Sequence, residues 1–256
     1  MYMKNLYVNA LLESTVKTIF FLREYFFPFG CSVCGDLLFR SGETWYGLCD
    51  ACLAEIERGI AERRAEETCD YCGKPLISEH ERCLLCRNRE RYAFDRAVVM
   101  FPYTGKYRQM LTAYKFNKNL ALGHFFSRVI QKELECTHFP SGAELVPVPP
   151  RPGKIRKTGW DQVEFLAGLL ERKNDRPGSL PVNRCLKRLH SKSQKELGLE
   201  SRRTNLKGRI VAVRKVPKIS VIIDDVMTTG STLDACASVL KEAGSDIVYG
   251  LCLFYD

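Results

Sequence analysis

One stretch limits the possible folds of this chain more than any other: Lys218-Ile-Ser-Val-Ile-Ile-Asp-Asp-Val-Met-Thr-Thr-Gly-Ser-Thr-Leu233. The β-prone run Val221-Ile-Ile223 is cut off by two carboxylates, Asp224 and Asp225. Thr228, Thr229, Gly230, Ser231 and Thr232 follow, and a helical pattern opens at Leu233. A strand, an acidic pair, a hydroxyl-rich turn and a helix start form a phosphate cradle when they belong to an α/β domain. Backbone N–H groups and the positive helix end hold the anion, and the hydroxyls add donors. The acidic pair repels phosphate and so must face donors such as vicinal sugar hydroxyls, or a cation. A ribose 5-phosphate carries both halves of that pattern. An ordinary strand whose Asp pair caps a helix is the plainer alternative.

The stretch resembles the 5-phosphoribosyl-1-diphosphate (PRPP) signature of type I phosphoribosyltransferases. Its context agrees, because strand and helix readings alternate from residue 93 onward. Phe94–Tyr103, Glu144–Pro149, a short piece from Val211, and Ile247–Phe254 read as extended. Tyr107–Phe116, Leu120–Leu134, Asp161–Arg172 and Leu233–Ala243 read as helices. This alternation predicts a doubly wound parallel sheet with ligands beyond the carboxyl ends of its strands. Two loops lie there. The loop after Pro149, with Arg151, Lys154, Arg156 and Lys157, suits a diphosphate. The loop after Ile223 suits a ribose 5-phosphate. The resemblance implies PRPP as ligand, with Mg²⁺ carried mainly on the diphosphate and sugar hydroxyls.

Before that domain the chain is built on cysteine. Four Cys-x-x-Cys pairs run in sequence: Cys31/Cys34, Cys49/Cys52, Cys69/Cys72 and Cys83/Cys86. Each pair makes a tight knuckle, and two knuckles complete a tetrahedral thiolate site of structural type with no open position. Zn²⁺ is favoured over an iron–sulfur cluster or a redox dithiol, which usually occurs singly. The pattern Cys-x-x-Cys-Gly-x-x-Leu occurs at Cys31 and again at Cys69, and each copy is followed by a second pair. This repeat favours sequential pairing within residues 31–52 and 69–86, with β-hairpins bridging the knuckles and a helix over Glu55–Glu67 between the units. A cross-braced pairing is the alternative. Cys136, Cys185, Cys236 and Cys252 lack such spacing and read as buried apolar residues.

The chain has 256 residues and a formal charge of +9, which favours anionic partners. The excess is local: residues 151–215 hold eighteen Lys and Arg against six Asp and Glu, leaving the remainder net acidic. A solvated face is one reading of this segment. The sharper reading is a surface that follows a phosphate backbone, carried by Lys115, Lys157, Lys187, Arg188, Lys192, Lys195, Arg202 and Arg203. Phe116, Trp160, Tyr103 and Tyr107 lie near these cations as stacking platforms for single strands or, taken singly, as core residues. Leu11, Leu12, Thr15, Ile19, Leu22 and Phe26 predict an amphipathic N-terminal helix. Charged residues break that stretch too often for a membrane span, and it lacks the layout of a signal peptide.

An N-terminal double zinc ribbon joined to a PRPP-type domain resembles the ComF family of competence-associated proteins. Tyr103-Thr-Gly105, Lys115-Phe116, Val146-Pro-Val-Pro149, Gly159-Trp-Asp-Gln162, Gln194-x-x-Leu197 and Arg202-x-x-Asn205 fit it as well. Trp160-Asp161 departs from the Phe-Asn often found there. With the amphipathic helix read over 1–28, three regions are expected: that helix, a double zinc ribbon over 29–92 and a phosphoribosyltransferase-like domain over 93–256, the last two as the resemblance implies. The resemblance further implies a cytoplasmic protein that handles single-stranded DNA in natural transformation, beside a competence helicase or DNA-processing protein. The alternative is an active phosphoribosyltransferase using PRPP and an unknown acceptor. Thr228 stands where 6-oxopurine enzymes usually carry an Asp base, so the resemblance assigns no catalytic residue and argues against hypoxanthine/guanine chemistry.

Overall fold

The computed structural model describes residues 29–38, 41–88, 92–172, 178–189 and 209–256. The expected N-terminal helix over 1–28 lies outside these residues. So do Lys192, Lys195, Arg202 and Arg203, along with the Gln194 and Asn205 signatures.

The sheet holds four strands: β1 (Arg96–Pro102), β2 (Ala143–Pro147), β5 (Ile219–Met227) and β6 (Ile247–Tyr255). They lie in the order β1-β6-β5-β2, and every pairing is parallel. Between β2 and β5 in the chain, β3 (Leu186–Arg188) and β4 (Ile210–Ala212) pair antiparallel as a separate hairpin. Near-continuous apolar runs suit a parallel sheet covered on both faces, and alternate residues do bury into two cores. Leu145, Val221, Ile223, Leu251 and Leu253 join one. Val146, Ile222, Val248 and Cys252 join the other.

The helices divide in the same way. On the first face lie α4 (Gly105–Lys115), α5 (Leu120–Thr137) and α7 (Gln162–Glu171), contributing Tyr114, Phe126 and Leu166. On the second lies α8 (Ser231–Glu242), contributing Leu233, Ala237 and Leu240. The doubly wound α/β reading is therefore correct. Among the described residues, no helix is long and apolar enough to cross a membrane.

The crossovers locate the ligand crevice. From β2 the chain passes through α7 to Val182, which pairs with Leu145 on the outer side of β2. From β5 it passes through α8 to β6, in the opposite direction. Strands β2 and β5 are neighbours whose connections part, which defines a topological switch point where a crevice opens at the carboxyl ends. β2 stops at Pro147, opposite Ile223. Val148 still donates to the Ile223 carbonyl at 3.0 Å, but Pro149 and Pro150 have no N–H with which to continue the ladder. β5 runs on alone on that side, so Asp224 and Asp225 are its first residues without a β2 partner in register.

The two cysteine units flank the sheet. Cys31 and Cys52 pack into the first core with Ile56 of α2 (Asp50–Arg64), whereas Cys69, Cys72 and Cys86 pack into the second beside Phe94 and Ala97. Helix α2 begins earlier than the expected Glu55, because Cys49 is already its N-cap. Among the described residues, the hairpin expected between the knuckles is not formed. Helix α1 (Ser41–Tyr46) fills the first gap, and the second pair of the other unit opens α3 (Leu84–Arg87). Among the described residues, each unit has one isolated bridge, Gly30 with Leu37 and Thr68 with Pro75, which closes the knuckle itself.

Cys185, Cys236 and Cys252 are buried as expected, but Cys136 is exposed near the end of α5. It lies on the helix side turned away from the core, a position that periodicity assigns only once the register of α5 is known.

Candidate functional site

Adjacent residues of a strand leave on opposite sides, and the acidic pair does so. Asp225 turns to the first face, where its Oδ2 accepts from Lys115 Nζ at 2.7 Å and from Gln162 Nε2 at 2.8 Å. Asp224 turns towards the second face, and its charge acts on Cys236 and Arg188. Its Oδ1 accepts from the Asp225 N–H at 2.8 Å. Both carboxylates are buried. Burial, and next the neighbouring Asp225 charge, hold Asp224 well above the ordinary carboxyl range. Burial pushes Asp225 upward too, but the Lys115 ammonium and the hydrogen bonds from Lys115, Asp224 and Gln162 outweigh it, leaving Asp225 below its ordinary value.

These opposite shifts predict a pH signature. A carboxyl whose folded pKa lies above its unfolded value takes up a proton on folding, so stability falls as pH rises from the ordinary 3.8 through the folded value. Asp225 acts in reverse, and its contribution is lost only as pH falls below 3.8 through its folded value. Asp224→Asn removes the first slope alone. The variant should melt above wild type at neutral pH and converge with it near pH 4. Thermal melts across that range check this, and parallel curves would refute it.

The residues around Asp225 form one network. Lys154 pairs with Asp161 at 2.6 Å and donates to Gln162 Oε1. Asp161 Oδ1 caps α7 by accepting from the N–H groups of Val163 at 3.0 Å and Glu164 at 3.2 Å. The Tyr114 hydroxyl, fully buried, donates to the Gln162 carbonyl at 2.7 Å. Lys154 was expected among the diphosphate cations and is instead engaged by Asp161. Lys115, expected on the nucleic-acid face, lies at the acidic pair. Phe116 beside it is 69% exposed, so a core role for it is excluded. Trp160, Tyr103 and Tyr107 are half-buried. Sequence reading gave no role to Asp161 and Gln162, although the Gly159-Trp-Asp-Gln signature had marked them out.

On one side of the acidic pair is the hydroxyl turn. Thr228 and Thr229 are exposed, and Gly230 caps α8 with φ of 73°, a left-handed conformation that glycine adopts without strain. Ser231 and Thr232 lie in the first turn of α8 rather than before it. Thr229 Oγ1 and Ser231 Oγ share a hydrogen bond of 2.8 Å.

On the other side, the supposed loop after Pro149 winds into α6 (Lys154–Thr158), bracketed by left-handed Gly153 and Gly159. Arg151 and Arg156 line a cleft of about 520 Å³ together with Lys187, Arg188, Leu186 and Leu189. Two sets of cations read separately in the sequence, one for diphosphate and one for nucleic acid, thus meet in one place. Among the described residues, no ion pair to a carboxylate engages any of these four cations. Burial and the adjacent Arg151 charge lower the pKa of Arg188, a sign of crowded positive charge. Lys157 is exposed on α6 and does not line the cleft. The hairpin strands bring Leu189 and Arg209 together, at 2.7 Å between N–H and carbonyl, beside the same cleft.

The cysteines assemble sequentially. Cys31, Cys34, Cys49 and Cys52 place their sulfurs within 4.8 Å of one another, as do Cys69, Cys72, Cys83 and Cys86. All are free thiols. A Zn–S bond of about 2.3 Å sets the vertices of a tetrahedron about 3.8 Å apart. Cys34 and Cys49, and likewise Cys72 and Cys83, are 3.7 Å apart. Both donor sets fit a zinc ion, and the cross-braced alternative is excluded by this grouping.

No family model matches the chain. It is similar to Competence protein F of Haemophilus influenzae, 28% identical over 229 residues covering 86% of this chain and 93% of that protein. It is 29% identical to Competence protein ComFC of Streptococcus pneumoniae over 230 residues, covering 84% and 94%. The DNA utilization protein YhgH of Escherichia coli K12 is 26% identical over 214 residues, covering 81% and 90%. These alignments span nearly the full length of each relative, and they support a place for this chain beside the ComF-family competence and DNA utilization proteins.

Proposed function

We propose that the chain binds a ribose phosphate of the PRPP type in the β2/β5 crevice and carries single-stranded DNA across the adjoining basic cleft. On this reading it serves DNA uptake or utilization and acts in the cytoplasm; in support, its relatives are named as competence and DNA utilization proteins. One observation carries the reading. Buried Asp224 and Asp225 sit at the switch point, between the Thr228–Thr232 turn at a helix N-terminus and a cleft with four cations. The turn would take the 5-phosphate, the acidic pair the ribose hydroxyls, and Arg151 and Arg156 the diphosphate with its accompanying Mg²⁺. Asp225 is already held by Lys115 and Gln162, and Thr228 stands where 6-oxopurine enzymes usually carry an Asp base. Ligand binding therefore ranks ahead of phosphoribosyl transfer. Because Arg151 and Arg156 share a cleft with Lys187 and Arg188, the two ligands should exclude one another.

The experiment is a paired titration: PRPP with and without a labelled oligonucleotide, and the reverse, on wild type and on Lys187→Glu/Arg188→Glu. Competition is expected. The double variant should bind the oligonucleotide more weakly, with a salt slope lower by about 2, roughly one per lost phosphate contact. Affinity and slope unchanged by the charge reversal would sink the DNA assignment.

A further inference from the structure

The internal repeat diverges at two positions that bear on this site. Counted from the first cysteine of each unit, Val33 and Asp36 of the first correspond to Tyr71 and Lys74 of the second. The two knuckles close alike. The Cys31 N–H donates to the Asp36 carbonyl at 2.7 Å, and the Cys69 N–H donates to the Lys74 carbonyl at 2.8 Å. Gly35 and Gly73 close the turn with bonds of 3.0 and 2.9 Å to the carbonyls of Cys31 and Cys69. The backbone of Lys74 is therefore held by the same wrapping that gathers the thiolates.

From that fixed base the second unit reaches the phosphate turn. Lys74 Nζ donates to the Thr228 carbonyl at 3.3 Å and to the carbonyl of Asp256. The Tyr71 hydroxyl donates to the Tyr92 carbonyl at 2.8 Å, and the Tyr92 hydroxyl donates to the Thr229 carbonyl at 3.0 Å. The Tyr92 ring is stacked on Phe94 at 4.5 Å and lies against Gly230, where a Cβ would come within 3.1 Å of it. A cavity of about 470 Å³ separates much of the knuckle from the turn, lined by Cys72, Cys83, Leu84 and Thr228 among others. Hydrogen bonds, more than close packing, carry the connection.

Their effect follows from peptide geometry. In a planar trans peptide the C=O and the next N–H point in opposite directions. Holding the Thr228 carbonyl on Lys74 turns the Thr229 N–H away from the knuckle. Holding the Thr229 carbonyl on Tyr92 turns the Gly230 N–H the same way. Successive N–H groups turned outward at the start of a helix are what a phosphate oxygen requires. The first unit offers no counterpart, because it carries Asp36 and Val33 at these positions and packs on the other face.

We propose that Lys74 and Tyr92 are positioning residues for the phosphate turn, so that the second cysteine centre, and not the first, sets its affinity for a phosphate monoester. The proposal rests on the ribose-phosphate reading above and adds the element that aims the turn. The test is calorimetric titration of the full chain with ribose 5-phosphate. Lys74→Met and Tyr92→Phe should each weaken binding roughly tenfold, the scale of one lost hydrogen bond at a charged site. Lys74→Arg should recover most of the affinity, and Asp36→Ala, the matching change in the first unit, should leave it unchanged. Metal content should stay constant throughout. A wild type that does not bind ribose 5-phosphate overturns the ribose-phosphate reading itself. A wild type that binds, with Lys74→Met and Tyr92→Phe binding equally well, overturns the positioning role alone. Cys83→Ser and Cys49→Ser extend the test where they fold: only the former should lower ribose 5-phosphate affinity, and equal losses would overturn the selective link.

Discussion

Alanine at both Asp224 and Asp225 should lower the affinity for PRPP at least about 100-fold, to below detection in a calorimetric titration. Two charge-capable acceptors vanish from a buried crevice, and polar groups of the ligand that enter it are left unpaired. Lys115 also loses its 2.7 Å partner and becomes a mobile cation, being 31% exposed and so able to re-solvate. That exposure keeps the change from unfolding the chain, since an ammonium that reaches water escapes most of the penalty of a buried lone charge. The cysteine centres contact neither residue, so metal content should match wild type. Unaltered PRPP affinity in a folded double variant would refute the pocket assignment.

Metal removal should have the largest effect on stability. Structural zinc sites contribute apparent binding energies of about 10–16 kcal/mol to small domains at neutral pH. Here the thiolates are not on an appendage. Cys31 and Cys52 are buried with Leu48 and Ile56 against Phe101 and Phe125, and Cys69, Cys72 and Cys86 with Phe94 and Ala97. Removing the ions leaves mutually repelling thiolates, or bulky thiols, inside both cores of the sheet. A typical domain is stable by only about 5–15 kcal/mol. Chelation should therefore unfold the cysteine units and drag down the melting of β1, the strand between them. Metal analysis should give two ions per chain, one for each four-cysteine group. Circular dichroism melts with and without a strong chelator check the rest, and an unchanged transition after complete metal removal would be decisive against it.

Where sequence reading and structure part, the cause is one of range. The Asp224–Thr232 stretch holds its strand, turn and helix start within a single local segment, so the fold class, and the position of the candidate site at the end of β5, were legible in it. The same is true of the knuckles, where Cys-x-x-Cys spacing and an internal repeat indicated sequential pairing. The hairpin expected between the first pair of knuckles failed because residues 41–46 form a helix that the cysteine spacing does not encode. The loop at 151–159 hid a helical turn because left-handed glycines at both ends, normal stop signals, here bracket a single turn.

By itself, then, the amino-acid sequence determined the alternation of strands and helices, the thiolate sets and the acidic pair with its turn. Each is written in neighbouring residues, by period, spacing or motif. Only the tertiary structure decided which groups meet. Lys115 reaches Asp225 across 110 residues and Lys74 reaches Thr228 across 154. Arg151 and Arg156 share a cleft with Lys187 and Arg188, and the two carboxylates of one motif serve opposite faces of the sheet. These meetings depend on strand order and on the parting of the β2 and β5 crossovers, which are set by the burial of both sheet faces at once and leave no trace in any single stretch of chain.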